Sequence, residues 1–370
     1  MARRSASGTI RVEPHPRTSL RVTIGNLHRD NNFDALRLVA ATLVILSHSW
    51  ALTGSVVDPV VVLTQGHVYA GELGVWVFFA MSGYLVTLSF VHRRSPWAFA
   101  EARALRIYPA LCIAVAFGVF AGALATTLPL RDYLSDTATW AYFNRNLQFD
   151  IRFDLPGVFA HNPFPNAVNG SLWTLPLEAM MYVVVAILGV ATLLAKRRAA
   201  GAVLVVAIAV LIAQPTWLGS LPMVGSMLYA VPAIAFLLGM LMALFRERIP
   251  SRGDIALALL AAGVISVRRW PEVATLYACF AASYCTFWLA FHRVRVRIPE
   301  SVGDVSYGLY VYAFPVQQLV VWLHPAIGPW GLFCAAFPAT FLLAWFSWHL
   351  VEKPALALKG LLAVPLLRAT

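Results

Sequence analysis

His48 and Arg37 are the first residues whose chemistry stands out, because both are ionisable and both lie in or at the edge of an apolar stretch. At about 100° per residue, eleven residues return to within about 20° of the same helix face, roughly 16 Å further along. The two side chains should therefore share one stripe. Ionisable groups at membrane depth are costly and usually face a protein interior or a wet cavity. The spacing fits a catalytic imidazole, and it also fits a structural histidine that is hydrogen-bonded to a neighbouring helix.

Arg103 and Arg106 form a second candidate group, in a charged stretch between two apolar runs. Residues spaced i, i+3 share a helix face, so the two guanidinium groups would lie side by side if this stretch is helical. Such a pair can clamp a phosphate. The alternative is that these arginines only set the orientation of the chain in the membrane.

Glu178 is the third candidate, near the start of another apolar run that begins with Asn169. It would lie about two turns into the bilayer, near 10 Å deep, and His48 would reach a similar depth from its own span. We therefore expect a hydrogen bond between the two, in which the carboxylate fixes the imidazole tautomer and raises its basicity. A purely structural pair is the alternative.

The elements that must position these residues are membrane helices. Of the 370 residues, 60% are hydrophobic and only 12% are charged, whereas a soluble domain carries about 25% charged residues. Because a span needs about 20 apolar residues, the apolar runs predict an all-α bundle of ten transmembrane helices. The predicted spans are 38–57, 73–91, 107–130, 171–195, two within 199–245 separated at Pro215 and Pro222, 255–267, 273–291, and two within 305–350 hinged near Pro325 and Pro329.

The distribution of charge supports that count. If the N-terminus is cytosolic, the predicted inner segments hold 23 of the 28 Lys and Arg, as the positive-inside rule requires. Both termini are then cytosolic, and the net charge of +11 needs no nucleic-acid partner to explain it. We divide the chain into a flexible basic tail at 1–32, a membrane domain at 33–354 and a second cytosolic tail at 355–370.

The largest predicted outer loop covers about residues 129–170 and combines acidic and aromatic side chains. About forty residues of irregular chain beside compact spans indicate a binding loop or lid, and this composition suits sugar rings and hydroxyls. An aromatic belt at the membrane interface is the alternative.

The four cysteines, Cys112, Cys279, Cys285 and Cys334, all fall within apolar runs. None has the spacing of metal ligands or of a redox pair. We therefore predict buried, inert thiols and no metal site.

Several motifs occur in a fixed order and together resemble the acyltransferase-3 family of integral membrane O-acyltransferases. The resemblance runs from Phe33 to Pro354, and no single motif is specific without the others. The motifs are F-D-A-L-R with a histidine eleven residues after the arginine, G-V-W-V-F-F-A-M-S-G-Y-L, R-x-x-R-I-Y-P, N-G-S-L-W-T-L-P-L-E, S-Y-G-L-Y and H-x-x-E-K-P.

The resemblance implies a ten-helix bundle that transfers an acyl group, commonly acetyl, from cytosolic acyl-coenzyme A to a sugar hydroxyl. Acceptors in the family are typically cell-surface or exported glycans, or their lipid-linked oligosaccharide precursors. We therefore expect a multi-pass protein of a bacterial inner (cytoplasmic) membrane, surrounded by membrane lipid and without a fused hydrolase-like domain. By the same resemblance, His48 is the catalytic histidine and Arg103 and Arg106 are the functional arginine pair.

The remaining residues receive roles within this scheme. Arg37 would contact the arm of the acetyl-coenzyme A donor, and Glu178 would orient His48. The residues assigned to substrate binding are Asn169, Ser171, Trp173 and Tyr310. Glu352 and Lys353, in the closing motif, are by default anchors at the membrane interface. A competing hypothesis is a sugar or lipid exporter in which His48, Arg37 and Glu178 line the substrate path, and only the enzyme would release coenzyme A.

Overall fold

The chain folds into a helical bundle. The computed structural model describes residues 31–55, 57–93, 95–217 and 229–360. Within these ranges it contains fourteen α-helices and no β-strand, which confirms the predicted all-α class. The helices are α1 (Phe33–Leu52), α2 (Pro59–Leu63), α3 (Ala70–Arg93), α4 (Pro96–Ala125), α5 (Leu130–Ser135), α6 (Thr137–Leu147), α7 (Leu175–Val190), α8 (Arg197–Ala213), α9 (Ala230–Phe245), α10 (Gly253–Arg269), α11 (Pro271–Ala290), α12 (Ser306–Leu323), α13 (Pro329–Ser347) and α14 (Lys353–Ala357). A 3₁₀ turn (Gly170–Thr174) leads into α7, and a π turn (Trp348–Glu352) joins α13 to α14.

Each of the ten predicted spans contains an α-helix, but not every helix is long and apolar enough to cross a membrane. Six segments of the described chain meet both conditions, which makes this a multi-pass membrane protein. They are Phe33–Leu52, Ala70–Arg93, Pro96–Ala125, Gly170–Val190, Pro271–Ala290 and Pro329–Ala357. Helices α8, α9, α10 and α12 fall outside this group, so the count of ten and the cytosolic termini stay predictions. The tails at 1–30 and 361–370 and the predicted turn at Pro222 lie outside the described residues.

The surface of the bundle carries large apolar side chains, as expected for helices that face lipid. Phe120, Val183 and Leu342 are each more than half exposed, while Trp76 and Tyr84 are fully buried. Large apolar side chains therefore occur both on the surface and in the interior of the bundle, and hydrophobicity alone does not distinguish the two faces of a helix.

Helices α3 and α9 pack backbone against backbone at the centre of the bundle. A Cβ atom at Gly83 would lie 2.0 Å from the carbonyl oxygen of Phe236, and one at Gly239 would lie 2.1 Å from that of Ala80. Small residues permit such close approach between membrane helices. The glycines of the second apolar run are therefore packing residues.

Helices α1 and α12 run parallel and keep the same register along their length. Arg37 lies beside Asp304, which precedes α12. Further along, the ring of His48 contacts that of Phe314. The parallel helices therefore hold Arg37 and Asp304 at one level of the bundle and His48 and Phe314 at another.

The predicted outer loop is partly helical, because α5 and α6 lie within it. The side chain of Asp136 begins α6 by accepting a hydrogen bond from the backbone N–H of Ala138. Asn162, further along the loop, donates to Gln318 of α12 and so ties the loop to the bundle. The expectation of irregular chain was wrong for the first half of the loop, where the cap and the buried Tyr133 and Tyr142 stabilise the two helices.

The four cysteines are free thiols, in agreement with the sequence. Cys279 is buried, whereas Cys334 is exposed. The prediction of a buried thiol was wrong for Cys334, because apolar character in a membrane helix marks lipid-facing positions as well as core positions.

Candidate active site

A cavity of about 130 Å³ lies among helices α1, α3, α4, α7 and α12. Its walls combine apolar side chains with an unusual number of polar and charged ones. The polar lining residues are Arg37, Ser82, Arg103, Arg106, Thr174, Glu178, Tyr182, Ser306, Tyr307 and Tyr310. A concave, mostly apolar space with a few convergent polar groups is the usual form of a small-molecule site.

Arg103 and Arg106 lie one turn apart on α4 and both line this cavity. Helix α4 begins at Pro96, where the hydroxyl of Ser95 accepts a hydrogen bond from the backbone N–H of Ala98. The stretch is therefore helical, as the pairing of the two arginines required. The prediction that they share a face is confirmed.

Arg106 is held by two carboxylates from distant parts of the chain. Its guanidinium lies 2.7 Å from Asp304 and 3.7 Å from Glu352. Burial opposes the charge of Asp304, but Arg106, then Arg37 and hydrogen bonds with Ser306 more than offset this and hold its pKa well below the ordinary value. Asp304 is therefore ionised at neutral pH and is a permanent counter-ion for Arg106.

Arg103 is in a different position. None of the ion pairs formed within the described part of the chain includes it, and its buried Nε has no hydrogen-bond partner. Its guanidinium instead lies over the rings of Tyr182 and Phe99, at 5.6 and 6.0 Å from their centroids. It can therefore bind an anion without first losing a carboxylate.

Glu352 is part of this site, although the sequence indicated only an anchor at the membrane interface. Its side chain is 2% exposed and accepts a hydrogen bond from Ser347, which in turn accepts one from Tyr312. The π turn at Trp348–Glu352 directs the carboxylate inward, and such irregular turns are frequent at functional sites. The interface expectation was wrong for Glu352, while the role of Lys353, which is exposed, stays a prediction.

Positive charge continues from the cavity to the end of the described chain. Lys359 lies near Arg103, Arg106 and Arg93, and the backbone N–H of Gly360 donates to Glu101 at the start of α4. Although Lys359 is on the surface, the surrounding protein, then these arginines, lower its pKa to about 8. Lys359 and Arg93 therefore add positive charge beside this end of the cavity, its mouth, where Asp304, Glu178 and Glu352 offset part of the charge of the arginines.

Glu178 faces the arginines, not His48. Its carboxylate accepts a hydrogen bond from Tyr182 and interacts electrostatically with Arg106 and Arg103. The predicted hydrogen bond to His48 was therefore wrong. The depth expected for Glu178 assumes an α-helix throughout. The segment instead begins with a 3₁₀ turn, which rises about 2.0 Å per residue instead of 1.5 Å and changes the direction in which the following side chains point.

His48 is not among the residues that line the cavity. Its ring packs edge-on against Phe314, with 5.1 Å between the centroids, and its Nδ1 is buried without a hydrogen-bond partner. Arg37, on the same helix, lines the cavity and lies 3.6 Å from Asp304. Both side chains therefore face α12 and the segment before it, which confirms that they share one stripe.

Tyr310 lines the cavity on the helix that also contacts the histidine. Its hydroxyl is 2.8 Å from that of Thr174, and its ring contacts Phe78. Phe314, which touches His48, follows Tyr310 by one turn of α12. One turn of α12 therefore separates a residue of the cavity wall from the residue that contacts His48.

The other residues assigned to substrate binding come from the segment that leads into α7. Asn169 is fully buried and uses its amide to hold the backbone of Ser171 and Val311. Ser171 has a buried hydroxyl without a partner. Trp173 packs against Tyr229 and is not part of the cavity wall. Asn169 therefore positions its neighbours, and direct contact of these residues with a substrate stays a prediction.

Comparison with known proteins identifies relatives of the whole chain. Residues 30–349 match the family described as Acyltransferase domain. The chain is 31% identical to an "O-acetyl transferase" of Shigella phage Sf6, over 88% of this chain and 96% of that protein. It is 30% identical to "Nodulation protein 10" of Rhizobium leguminosarum bv. viciae, over 90% of this chain and 94% of that protein. No solved structure matches the chain significantly.

Proposed function

The chain belongs to the acyltransferase family, and from this premise we propose that it transfers an acetyl group from acetyl-coenzyme A to a sugar hydroxyl. It is a membrane O-acyltransferase, and its relatives agree with acetyl as the group transferred. The donor, the sugar acceptor and the side from which each enters are parts of the proposal.

One observation carries the proposal: a cavity rich in arginine is lined by Tyr310, and Phe314, one turn further along α12, contacts the buried His48. Arg37, Arg103 and Arg106 line the cavity, and Lys359 adds charge at its mouth. Charged guanidinium groups bind phosphates strongly, in bidentate fashion where the geometry allows. Coenzyme A has phosphates at one end and a narrow thioester arm at the other, so that it matches a basic mouth leading to an apolar passage.

Within this arrangement Arg103 would bind the donor phosphates first, since no carboxylate of the described residues forms a close ion pair with it. Arg106, which Asp304 and Glu352 hold in place, would add its charge to the same region. Glu178, with its partner Tyr182, would keep the two arginines apart and oriented. The thioester would then extend between α3, α7 and α12 towards Tyr310.

The chemical step would take place at His48. As the sugar oxygen attacks the thioester carbonyl carbon, a ring nitrogen of His48 accepts the hydroxyl proton. The carbon–sulfur bond breaks, and the departing sulfur takes that proton from the imidazolium. The products are an acetylated sugar and the free thiol of coenzyme A. Transient transfer of the acetyl group to His48 is the alternative order of events.

Access to His48 requires Tyr310 to move. The hydrogen bond between Thr174 and Tyr310 and the contact of Tyr310 with Phe78 close the outer end of the cavity. Breaking that one hydrogen bond would let the ring turn and connect the two compartments. The closed form would protect the thioester from water until an acceptor is present.

We further propose that the acceptor is an exported or cell-surface glycan, or its lipid-linked precursor, in a bacterial inner membrane. The charge distribution favours an orientation in which the basic mouth lies in the cytosol, where coenzyme A is found, and His48 lies in the outer half of the membrane. A transfer site between the two would let a cytosolic donor serve an acceptor on the other side.

The proposal is tested with purified protein in lipid nanodiscs, given acetyl-coenzyme A and the membrane glycolipid fraction of the source cells. We expect one free thiol for each acetyl group found on a sugar by mass spectrometry. The His48→Ala protein should fold, with the same unfolding temperature, and lose at least about 10²-fold in rate, because the proton acceptor is gone.

Two results would contradict the proposal. Transfer by the His48→Ala protein at the normal rate would exclude the histidine. Movement of a sugar or lipid across the membrane without thiol release would indicate an exporter.

A further inference from the structure

Gln317 is a buried residue for which the reaction described above has no use. It lies on α12, three residues after Phe314, and is completely shielded from solvent. Residues spaced i, i+3 share a helix face, so Gln317 faces α1 next to the turn that carries His48. Its amide nitrogen lies 2.8 Å from the hydroxyl of Ser49, which follows His48 in the chain.

The hydrogen bonds around Gln317 determine the orientation of its amide. Its Nε2 donates to the carbonyl oxygen of Ile45, at 2.9 Å, and to the hydroxyl of Ser49. Ser49 gives its only hydrogen to the same carbonyl of Ile45, so it can only accept from Gln317. Both partners are acceptors, which requires the NH₂ group to face them and Oε1 to face away.

Oε1 of Gln317 is therefore a fixed hydrogen-bond acceptor, and it has no donor. The atom is buried and unpartnered among the described residues. Buried polar atoms in folded proteins are nearly always hydrogen-bonded, and each exception calls for an explanation.

The next residue, Gln318, shows what a structural glutamine looks like at the same depth. It is equally buried. Its Nε2 donates to the carbonyl oxygens of Phe164 and Ala167, and its Oε1 accepts from Asn162 at 2.7 Å. Every hydrogen-bonding group of the Gln318 side chain has a partner, whereas Oε1 of Gln317 has none among the described residues.

Two other polar atoms without a partner belong to segments that contact Phe314. One is Nδ1 of His48, whose ring contacts Phe314 directly. The other is the hydroxyl of Ser171, which follows Gly170, where a Cβ would come within 2.5 Å of the same phenyl ring. The segments that meet at Phe314 thus supply an acceptor, a hydroxyl and an imidazole that have no partner among the described residues, and a ligand rich in hydroxyl groups would satisfy them.

We propose that Oε1 of Gln317 accepts a hydrogen bond from a second hydroxyl of the acceptor, next to the hydroxyl that His48 deprotonates. The enzyme would then select neighbouring hydroxyls, as on a sugar ring with a vicinal diol. This rests on the proposed function and names a specificity-determining residue for it. An acceptor without the second hydroxyl leaves Oε1 unpaired, and sites of this kind discriminate strongly against such analogues.

The test uses two small alcohols as acceptors in place of the sugar. Ethane-1,2-diol has a second hydroxyl that can donate, whereas 2-methoxyethanol has an ether oxygen that cannot. The rate of acetyl transfer from acetyl-coenzyme A is measured for each at molar concentration and expressed per hydroxyl. We expect the unsubstituted protein to favour the diol about tenfold or more, and Gln317→Met to reduce that ratio to about one.

The stability of the Gln317→Met protein separates this role from a structural one. Ser49 and Ile45 stay bonded to each other when Gln317 is removed, so no partner is orphaned and the unfolding temperature should not fall. Gln318→Met is the matched control. It orphans three groups of the outer loop and should unfold at a lower temperature, but it should keep the preference for the diol.

Equal rates with both alcohols in the unsubstituted protein would overturn the proposal, because the partner of Oε1 would then be a bound water molecule. A preference that survives in Gln317→Met would do the same. The proposal would also be overturned if protein that acetylates the native glycolipid fraction transferred acetyl groups to neither alcohol. Failure with the native fraction as well would contradict the proposed function itself, and with it this inference.

Discussion

Arg103 and Arg106 have the same residue type and line the same cavity, but their surroundings give them different tasks. Arg106 is bound to Asp304 and Glu352, which come from segments far away in the chain. Arg103 has aromatic neighbours and a buried Nε without a partner. A buried ion pair is strongly destabilising when one partner is lost, because the other charge stays behind. Arg103 is thus available for a ligand, whereas Arg106 holds the site together.

This difference predicts opposite outcomes for two alanine substitutions. Arg103→Ala should yield folded protein whose KM for acetyl-coenzyme A is raised about tenfold or more, the loss of one charge-assisted hydrogen bond. Arg106→Ala should leave Glu352 without an ion-pair partner and Asp304 with only the longer pair to Arg37, and should lower stability by about 3 kcal/mol or more. The measurements are steady-state kinetics and thermal unfolding in the same detergent.

A charge-preserving substitution serves as the control. Arg106→Lys keeps a positive charge beside Asp304 and should restore most of the stability lost in the alanine variant. If Arg103→Ala left the KM for the donor unchanged, Arg103 would not bind the donor, and the basic mouth would only set the topology of the chain.

The helices position the site by close packing more than by polar contacts. Helix α3 forms one wall of the cavity, and its other side touches α9 through Gly83 and Gly239. Without a hydrophobic driving force inside lipid, membrane helices associate through such tight van der Waals contacts. The contact fixes the depth of Ser82 and Met81, which line the cavity from the residues just before Gly83.

A methyl group at Gly83 should therefore disrupt the bundle. Gly83→Ala places the new carbon 2.0 Å from the Phe236 carbonyl oxygen, so the backbones must separate. We expect a loss of about 2–3 kcal/mol and a corresponding fall in the unfolding temperature and the yield of monodisperse protein.

Gly263→Ala is the matched control for this effect. Gly263 is also inside a helix, but an added Cβ would lie 3.6 Å from the ring of Tyr277, an ordinary contact. It should leave stability equal or slightly higher, since alanine favours the helix. Equal unfolding temperatures for the two variants would show that α3 and α9 do not pack so closely.

At the scale of the whole molecule, the two ends of α12 differ in charge and in neighbours. The end near Asp304 and Lys359 carries the basic mouth, and the end near Gln318 carries the loop that contains α5 and α6. The positive-inside rule predicts that the first lies in the cytosol and the second outside. The donor and the acceptor would then approach one bundle from opposite compartments.

Cysteine labelling in intact cells tests this orientation. Asp132→Cys, on the exposed surface of α5, should react with a membrane-impermeant maleimide. Glu300→Cys, in the exposed segment before α12, should react only after the membrane is permeabilised. The unsubstituted chain, with its four native cysteines, gives the background. Labelling of Glu300→Cys in intact cells would place the basic mouth outside and exclude a cytosolic donor.

The sequence alone determined the properties that depend on local periodicity and composition. The apolar composition predicted a helical membrane protein. The spacing between Arg37 and His48, and between Arg103 and Arg106, predicted that each pair shares a helix face. Such predictions hold because side chains on a regular helix repeat every 3.6 residues whatever surrounds them. The ordered motifs further indicated the family to which the chain belongs.

The tertiary structure decided which of these residues meet. Arg106 and Asp304 are 198 residues apart in the chain, and nothing local indicates their contact. Glu178 turned towards the arginines because a 3₁₀ turn changed its depth and direction, and Glu352 turned inward through a π turn. Gln317 and Gln318 look identical in sequence, and only the packing of α1 and the outer loop against α12 leaves one of them with an unused oxygen. Burial and partnership depend on distant chain segments, whereas helical periodicity does not, and this is why the faces could be read from the sequence and the contacts could not.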